Sequence, residues 1–272
     1  MGFATLTATL PFFVDRENKR ETTQMKIPEN WQPSTACLAD RVILVTGAGA
    51  GIGAATARAL AGHGATVILL DLNVRPLEQV YDDIEKAGHP QPAIYPMNLE
   101  GATEKDYVDL ADTVEREFGR LDGILHNAAM LGALIPLAHF ETELWYRVMQ
   151  VNLNAPFLLT RSCLALLMKS DDASILFSSD TAGRHGRAYW GAYGVSKAGI
   201  ENLMQILADE LESNTPVRVN SIDPGPVATA MRSLAYPGEN PGKLPKPEDV
   251  VLPYLYLMGP DSKGITGRQF EV

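Results

Sequence analysis

From residue 40 onward, short apolar runs alternate with longer stretches in which apolar positions recur every three or four residues. Val42-Ile43-Leu44-Val45 is a β-branched run too short for a helix, and it predicts a buried strand over 42–45. The same reasoning predicts strands over 66–70, 93–95, 121–126, 174–177, 217–222 and 269–272. Helical periodicity predicts helices over 54–63, 75–86, 104–118, 192–212 and 247–258, and one long helix over 141–169 bent at Pro156. Strands that are apolar throughout belong to a parallel sheet covered on both faces. With right-handed crossovers, the alternation gives a single α/β domain, a Rossmann-type doubly wound parallel sheet with helices on both faces.

Residues 1–36 do not follow this pattern and are set aside as an N-terminal extension, leaving 37–272 as the domain. The apolar stretch over 6–14 is interrupted by Thr7, Thr9 and Pro11, with no basic residue before it, so no signal peptide is expected. Residues 236–247 carry four prolines and two glycines. They read as part of a substrate loop over about 230–247.

Charge narrows the partners. The 272 residues carry 23 basic and 33 acidic side chains, a net of −10, which argues against a nucleic-acid backbone or an anionic membrane. No apolar run approaches the roughly 18 residues of a membrane span. Cys37 and Cys163 sit in no metal or redox spacing. They read as reduced thiols of a cytoplasmic protein, and no metal site is expected.

The first strand runs into Thr46-Gly47-Ala48-Gly49-Ala50-Gly51-Ile52-Gly53. A glycine-rich turn between a buried strand and a helix brings backbone N–H groups to a pyrophosphate at the positive helix end. Asp71 closes the second strand, where a carboxylate accepts hydrogen bonds from an adenosine ribose diol. The same carboxylate repels the 2′-phosphate of NADP. Neither Ala50 nor Leu72 is basic and Arg75 lies into the next helix, so NAD is expected over NADP.

Tyr193 and Lys197 stand four apart on one face of a predicted helix. Ser178-Ser179-Asp180-Thr181-Ala182-Gly183 follows one strand, Asn127-Ala128-Ala129 follows another, and Asn152 lies in the long helix. With Pro224-Gly225-Pro226-Val227 and Thr229, these motifs resemble the short-chain dehydrogenase/reductase family over residues 40–272. The runs Leu121-Asp-Gly-Ile-Leu-His-Asn-Ala, Gly186-Arg-Ala-Tyr-Trp-Gly-Ala-Tyr193 and Leu257-Met-Gly-Pro-Asp-Ser262 are similar to its YciK-like branch of oxidoreductases or oxoacyl reductases. The resemblance implies hydride transfer between NAD(H) and a small or medium secondary alcohol or ketone. Tyr193 would be the acid/base, and Lys197 would lower its pKa and hold the nicotinamide ribose. Asn152 would hold a relay water. The implied cofactor-binding set is Thr46, Gly47, Gly51, Ile52, Gly53, Asp71, Asn98, Leu99, Asn127, Ala128, Tyr193, Lys197, Pro224, Gly225, Val227 and Thr229. A homodimer or homotetramer is implied as well.

One position departs from the family. Its fourth residue is a Ser thirteen before the Tyr, and residue 180 is Asp. Either Ser179 supplies the hydroxyl, or Asp180 occupies the Ser position, or turnover is impaired and the protein is a dinucleotide-binding sensor or scaffold. A 3-oxoacyl-thioester reductase is a further alternative, disfavoured by Asp71 and the acidic balance. Leu131, Leu134, Tyr189, Trp190, Met231, Leu234 and Tyr236 are candidates for a moderately apolar substrate pocket.

Overall fold

The computed structural model describes residues 25–272. Seven strands form one parallel sheet: β1 Val42–Thr46, β2 Thr66–Asp71, β3 Ala93–Pro96, β4 Gly123–His126, β5 Ser174–Ser178, β6 Arg218–Asp223 and β7 Gln269–Glu271, in the order β3-β2-β1-β4-β5-β6-β7. The helices are α1 Gly51–Gly62, α2 Val74–Lys86, α3 Glu104–Phe118, α4 Thr142–Met149, α5 Ala155–Leu167, α6 Thr181–Arg184, α7 Gly191–Glu212, α8 Ala230–Ala235 and α9 Leu252–Met258. Side chains alternate along each strand, so the sheet feeds two cores. Val42 and Leu44 join Tyr107, Leu159 and Met204 under α3, α5 and α7. Ile43 and Val45 join Leu60, Leu77 and Leu257 under α1, α2 and α9. The fold is the Rossmann-type α/β sheet that the alternation of apolar runs predicts.

Strand order reverses between β1 and β4, and a crevice opens at their carboxyl ends. Its shape depends on close backbone approach. Gly47 has φ +68°, and a Cβ there would lie 2.9 Å from the Cα of Ala128. A Cβ on Gly53 would lie 2.1 Å from the Gly47 carbonyl oxygen. Thr46 fastens the two chain exits together. Its Oγ1 accepts from the N–H groups of Asn127 and Ala128, both at 3.0 Å, and donates to the Leu125 carbonyl at 3.4 Å. That uses the whole hydrogen-bonding capacity of one hydroxyl.

Three expected elements differ. The long helix over 141–169 is interrupted by a π-helical turn, Gln150–Asn154, between α4 and α5. The cause is Asn152, whose carboxamide oxygen accepts from the Met130 N–H (2.7 Å) while its nitrogen donates to the Met130 carbonyl (2.9 Å) and Ser196 Oγ (3.0 Å). Pro156 contributes by offering no N–H to the Asn152 carbonyl one turn earlier. The helix expected over 247–258 is a 3-10 turn, Pro247–Val250, followed by α9. Of the stretch set aside over 1–36, residues 1–24 and the apolar run over 6–14 lie outside the described residues. Met25 pairs in parallel with Phe270, and the Trp31 ring meets Tyr256 edge-on at 5.1 Å. Residues 25–36 therefore lie against the domain.

Thr46→Val keeps the shape and removes the acceptor, leaving two buried N–H groups unpaired. It should cost about 1–3 kcal/mol of stability, read as a lower urea midpoint at unchanged m, and should weaken dinucleotide binding. Thr46→Ser should restore both.

Candidate active site

At the first turn of α1, Gly51, Ile52 and Gly53 present backbone N–H groups that no helix carbonyl takes, and Ala50 offers no side-chain cap. Beside this turn a cavity of about 210 Å³ is lined by Gly47, Asp71, Leu72, Asn98, Leu99 and Ala128, among others. The Asp71 carboxylate is held by the Gly49 N–H (3.2 Å) and the Asn73 N–H (3.3 Å). On the other side of Gly47 lies a cavity of about 310 Å³, with Tyr193 and Lys197 on one wall and Pro224, Gly225, Val227 and Thr229 on another. The two cavities share Gly47, Ala128 and Ala129 and run along the carboxyl edge of the sheet. That is the chemistry a dinucleotide needs: a carboxylate for a ribose, free N–H groups for phosphates, and a second compartment for its reacting ring.

In the larger compartment Tyr193 is 6% exposed and its hydroxyl donates to Asp180 Oδ2 at 3.2 Å. The other carboxylate oxygen, Oδ1, caps α6 by accepting from the Ala182 N–H at 2.7 Å. Asp180, the residue thirteen before the tyrosine, is therefore the group that meets the phenol. Ser179 Oγ is buried and has no hydrogen-bond partner among the described residues, and Ser179 lines the same cavity. Lys197 Nζ donates to the Ser178 carbonyl at 2.7 Å and lies 5.6 Å from the centre of the Tyr193 ring.

The charges set the proton affinities. Burial, reinforced by the Asp180 and Asp223 carboxylates, pushes the Tyr193 phenol well above its ordinary range. The carboxylate sits at the hydroxyl, whereas the ammonium is committed to a carbonyl. Burial brings Lys197 down to about 8, against the opposing pull of Asp180, Asp223 and Glu201. Burial also pushes Asp223 up, and the Gly225 N–H on its Oδ1 (2.8 Å) offsets part of that.

Most of the expected residues meet here. Gly47, Gly51, Ile52, Asn127, Ala128, Ser179, Asp180, Tyr193, Lys197, Pro224, Gly225, Val227 and Thr229 line the larger cavity. Asp71, Asn98 and Leu99 line the smaller one. Thr46, Gly53 and Asn152 line neither. They shape the turn, its packing and the π-helical turn. Of the apolar candidates, Leu131, Trp190, Met231 and Tyr236 line the larger cavity, and Leu134, Tyr189 and Leu234 do not. Missed by sequence reasoning was Arg232, a lining residue bound by two nitrogens to Glu239 (2.6 and 2.9 Å) and stacked on Tyr236. So was Glu201, buried in α7 between Arg184, Ser221 and Gln269. Among the described residues no group of His, Cys, Asp and Glu is arranged to hold a metal ion.

A family model described as short chain dehydrogenase matches residues 41–240. The chain is 46% identical to the oxidoreductase YciK of Escherichia coli over 89% of its own length and 95% of YciK. It superposes on a short chain dehydrogenase from Pseudomonas syringae with TM-score 0.87 at 56% identity, covering 89% of this chain and 98% of that one. It also superposes on a short chain dehydrogenase from Shigella flexneri complexed with NADP, with TM-score 0.85 at 45% identity, covering 88% and 99%. The chain belongs to the short-chain dehydrogenase/reductase family, in its YciK-like branch, and is an NAD(P)-dependent oxidoreductase that acts on a CH–OH group.

Proposed function

We propose that this oxidoreductase interconverts a small or medium secondary alcohol and its ketone, with Tyr193 moving the proton. The observation that carries this reading is the buried Tyr193 hydroxyl, 3.2 Å from Asp180 in the cavity that adjoins the glycine turn. A bound nicotinamide dinucleotide supplies or accepts the hydride. Gly47, Gly51, Ile52 and the N–H groups of the α1 turn would hold its phosphates. Asp71, Asn98 and Leu99 would hold its adenosine end. Asn127, Ala128, Lys197, Pro224, Gly225, Val227 and Thr229 would hold its nicotinamide end.

The proton chemistry follows from the charges. In reduction, a substrate oxygen gaining negative charge takes the proton of Tyr193, whose high affinity for it keeps the phenol loaded at neutral pH. Ser179 Oγ, which lacks another partner, donates to the same oxygen. In oxidation an ionised Asp180 accepts the hydrogen bond of the alcohol, and Tyr193 must first become phenolate. Lys197, 5.6 Å from the centre of the Tyr193 ring, would favour that ionisation, and a bound oxidised nicotinamide would add its positive charge. The Asn152 carboxamide is committed to Met130 and Ser196, so its part in a water relay falls to its main-chain carbonyl.

NAD is the preferred cofactor in this reading, although the Shigella relative was crystallised with NADP. Cofactor choice rests on one or two side chains, and 45% identity leaves more than half of the positions different. At the decisive position this chain carries the Asp71 carboxylate, fixed by two N–H groups, next to Leu72 rather than a cation. A homodimer or homotetramer in the cytoplasm completes the proposal. Half-exposed Phe157 on α5 and Val195 and Ile206 on α7 suit pairing of copies, and both cysteines are free.

Titration calorimetry should give NAD at least about tenfold tighter binding than NADP, a difference of about 1.4 kcal/mol. Asp71→Ala should shrink that ratio, and equal affinities for the unaltered protein would reject the choice.

Tyr193→Phe should keep the fold and the dinucleotide affinity while lowering turnover by about 10²-fold or more, because only the proton-transfer group is lost. Activity of the variant within about tenfold of the parent would remove Tyr193 from the mechanism.

A further inference from the structure

The carboxylate at residue 180 alters which reacting group the cavity suits. Asp180 Oδ1 is occupied by the Ala182 N–H and the Thr181 hydroxyl, and Oδ2 faces the Tyr193 hydroxyl. Among the described residues, Asp180 forms no ion pair with Lys or Arg. The cavity's other charges are turned elsewhere: Lys197 to the Ser178 carbonyl, Arg232 to Glu239. Asp223, at the end of β6, adds a second carboxylate close enough to act on both Tyr193 and Lys197. The reacting position is therefore bounded by a negative charge, by the buried and unpartnered Ser179 hydroxyl, and by a phenol.

A carbonyl gains less from that boundary than a cation does. As hydride reaches its carbon, negative charge builds on the oxygen beside Asp180, and two like charges meet. A protonated carbon–nitrogen double bond behaves in the opposite way. It enters with a positive charge and an N–H that Asp180 Oδ2 can accept, a charge-assisted hydrogen bond. Its charge then disappears from the substrate as the reaction proceeds, so no anion forms beside the carboxylate. Leu131, Trp190 and Met231 give apolar walls for a ring.

We propose that this site, besides its action on a CH–OH group, reduces iminium ions, above all small cyclic ones, to secondary amines, and that Asp180 is the residue that favours them. The inference rests on the hydride-transfer reading above. A hydride forms the new C–H bond, the π pair of C=N becomes the nitrogen lone pair, and the substrate's positive charge passes to the oxidised dinucleotide. The amine nitrogen then takes a proton from Tyr193, which solvent restores, so iminium, reduced dinucleotide and one proton give ammonium and oxidised dinucleotide.

The test compares the unaltered protein with Asp180→Ser and Asp180→Asn, both of which keep an N-cap acceptor for α6. With NADH as hydride donor, 2-methyl-1-pyrroline and cyclopentanone are assayed side by side. Pyrrolidine and cyclopentanol are titrated by calorimetry into the protein–NADH complex. The expected result is a kcat/KM for the imine about tenfold or more above that for the ketone, with the ratio falling by about tenfold or more in both variants. Pyrrolidine should bind more tightly than cyclopentanol, and should lose about tenfold in both variants while cyclopentanol does not. A ketone turned over faster than the imine, with pyrrolidine binding indifferent to residue 180, would overturn the inference and leave the alcohol–ketone reading standing. Absence of NADH oxidation with either substrate, together with silence toward a panel of secondary alcohols and NAD, would overturn both.

Discussion

The reversal of strand order between β1 and β4 is the constraint on which the site depends, and one threonine hydroxyl holds it in shape. At that reversal the chain leaves the sheet in two directions, and the backbone groups at the two exits lose their ladder partners. Thr46 Oγ1 replaces two of those partners at once, taking the N–H groups of Asn127 and Ala128. Gly47 and Gly53 then let the turn, the start of α1 and the β4 exit approach to distances that a side chain would forbid. The free N–H groups of α1 face the crevice because this packing fixes where the helix begins.

On the far side of the crevice the governing fact is electrostatic. β5 delivers Ser178 and Ser179, α6 is capped by Asp180, and the first turn of α7 brings Tyr193 against that cap. A serine in place of Asp180 would offer a neutral donor. The carboxylate instead accepts from the phenol and raises its proton affinity, and it disfavours negative charge on a bound oxygen. Lys197 does not reverse this, because its ammonium is buried and directed at the Ser178 carbonyl. The chain thus brings Tyr193 and Lys197, the pair proposed to move the proton, into a field shaped by Asp180.

The sheet was legible in the sequence because strands buried on both faces are written as continuous apolar runs. α3 was legible to the residue because apolar positions such as Tyr107, Leu110 and Val114 recur at helical spacing. The cavity-lining glycines, Asp71, Tyr193 and Lys197 were legible from motif spacing. What escaped depends on contacts between distant segments. The π-helical turn exists because Asn152 reaches Met130, and nothing in the local periodicity records that. Thr46 and Asn152 belong to the motifs, but their side chains brace backbone rather than line the cavities. The attachment of residues 25–36 rests on a bridge from Met25 to the last strand, on packing of Met25, Ile27 and Trp31 against the core, and on the Trp31–Asp261 hydrogen bond, all contacts with distant segments. Arg232 and Glu239 pair across a loop that reads only as proline-rich.

The central claim, that burial and the Asp180 carboxylate together raise the proton affinity of Tyr193, is tested most directly by spectrophotometric titration of tyrosinate. The signal of Tyr193 is the difference between the unaltered protein and Tyr193→Phe. The account predicts that this phenol ionises above the ordinary tyrosine value of about 10 in the dinucleotide-free protein, and that Asp180→Ser moves the transition to lower pH. A Tyr193 phenolate already present near neutral pH, unmoved by Asp180→Ser, would contradict it.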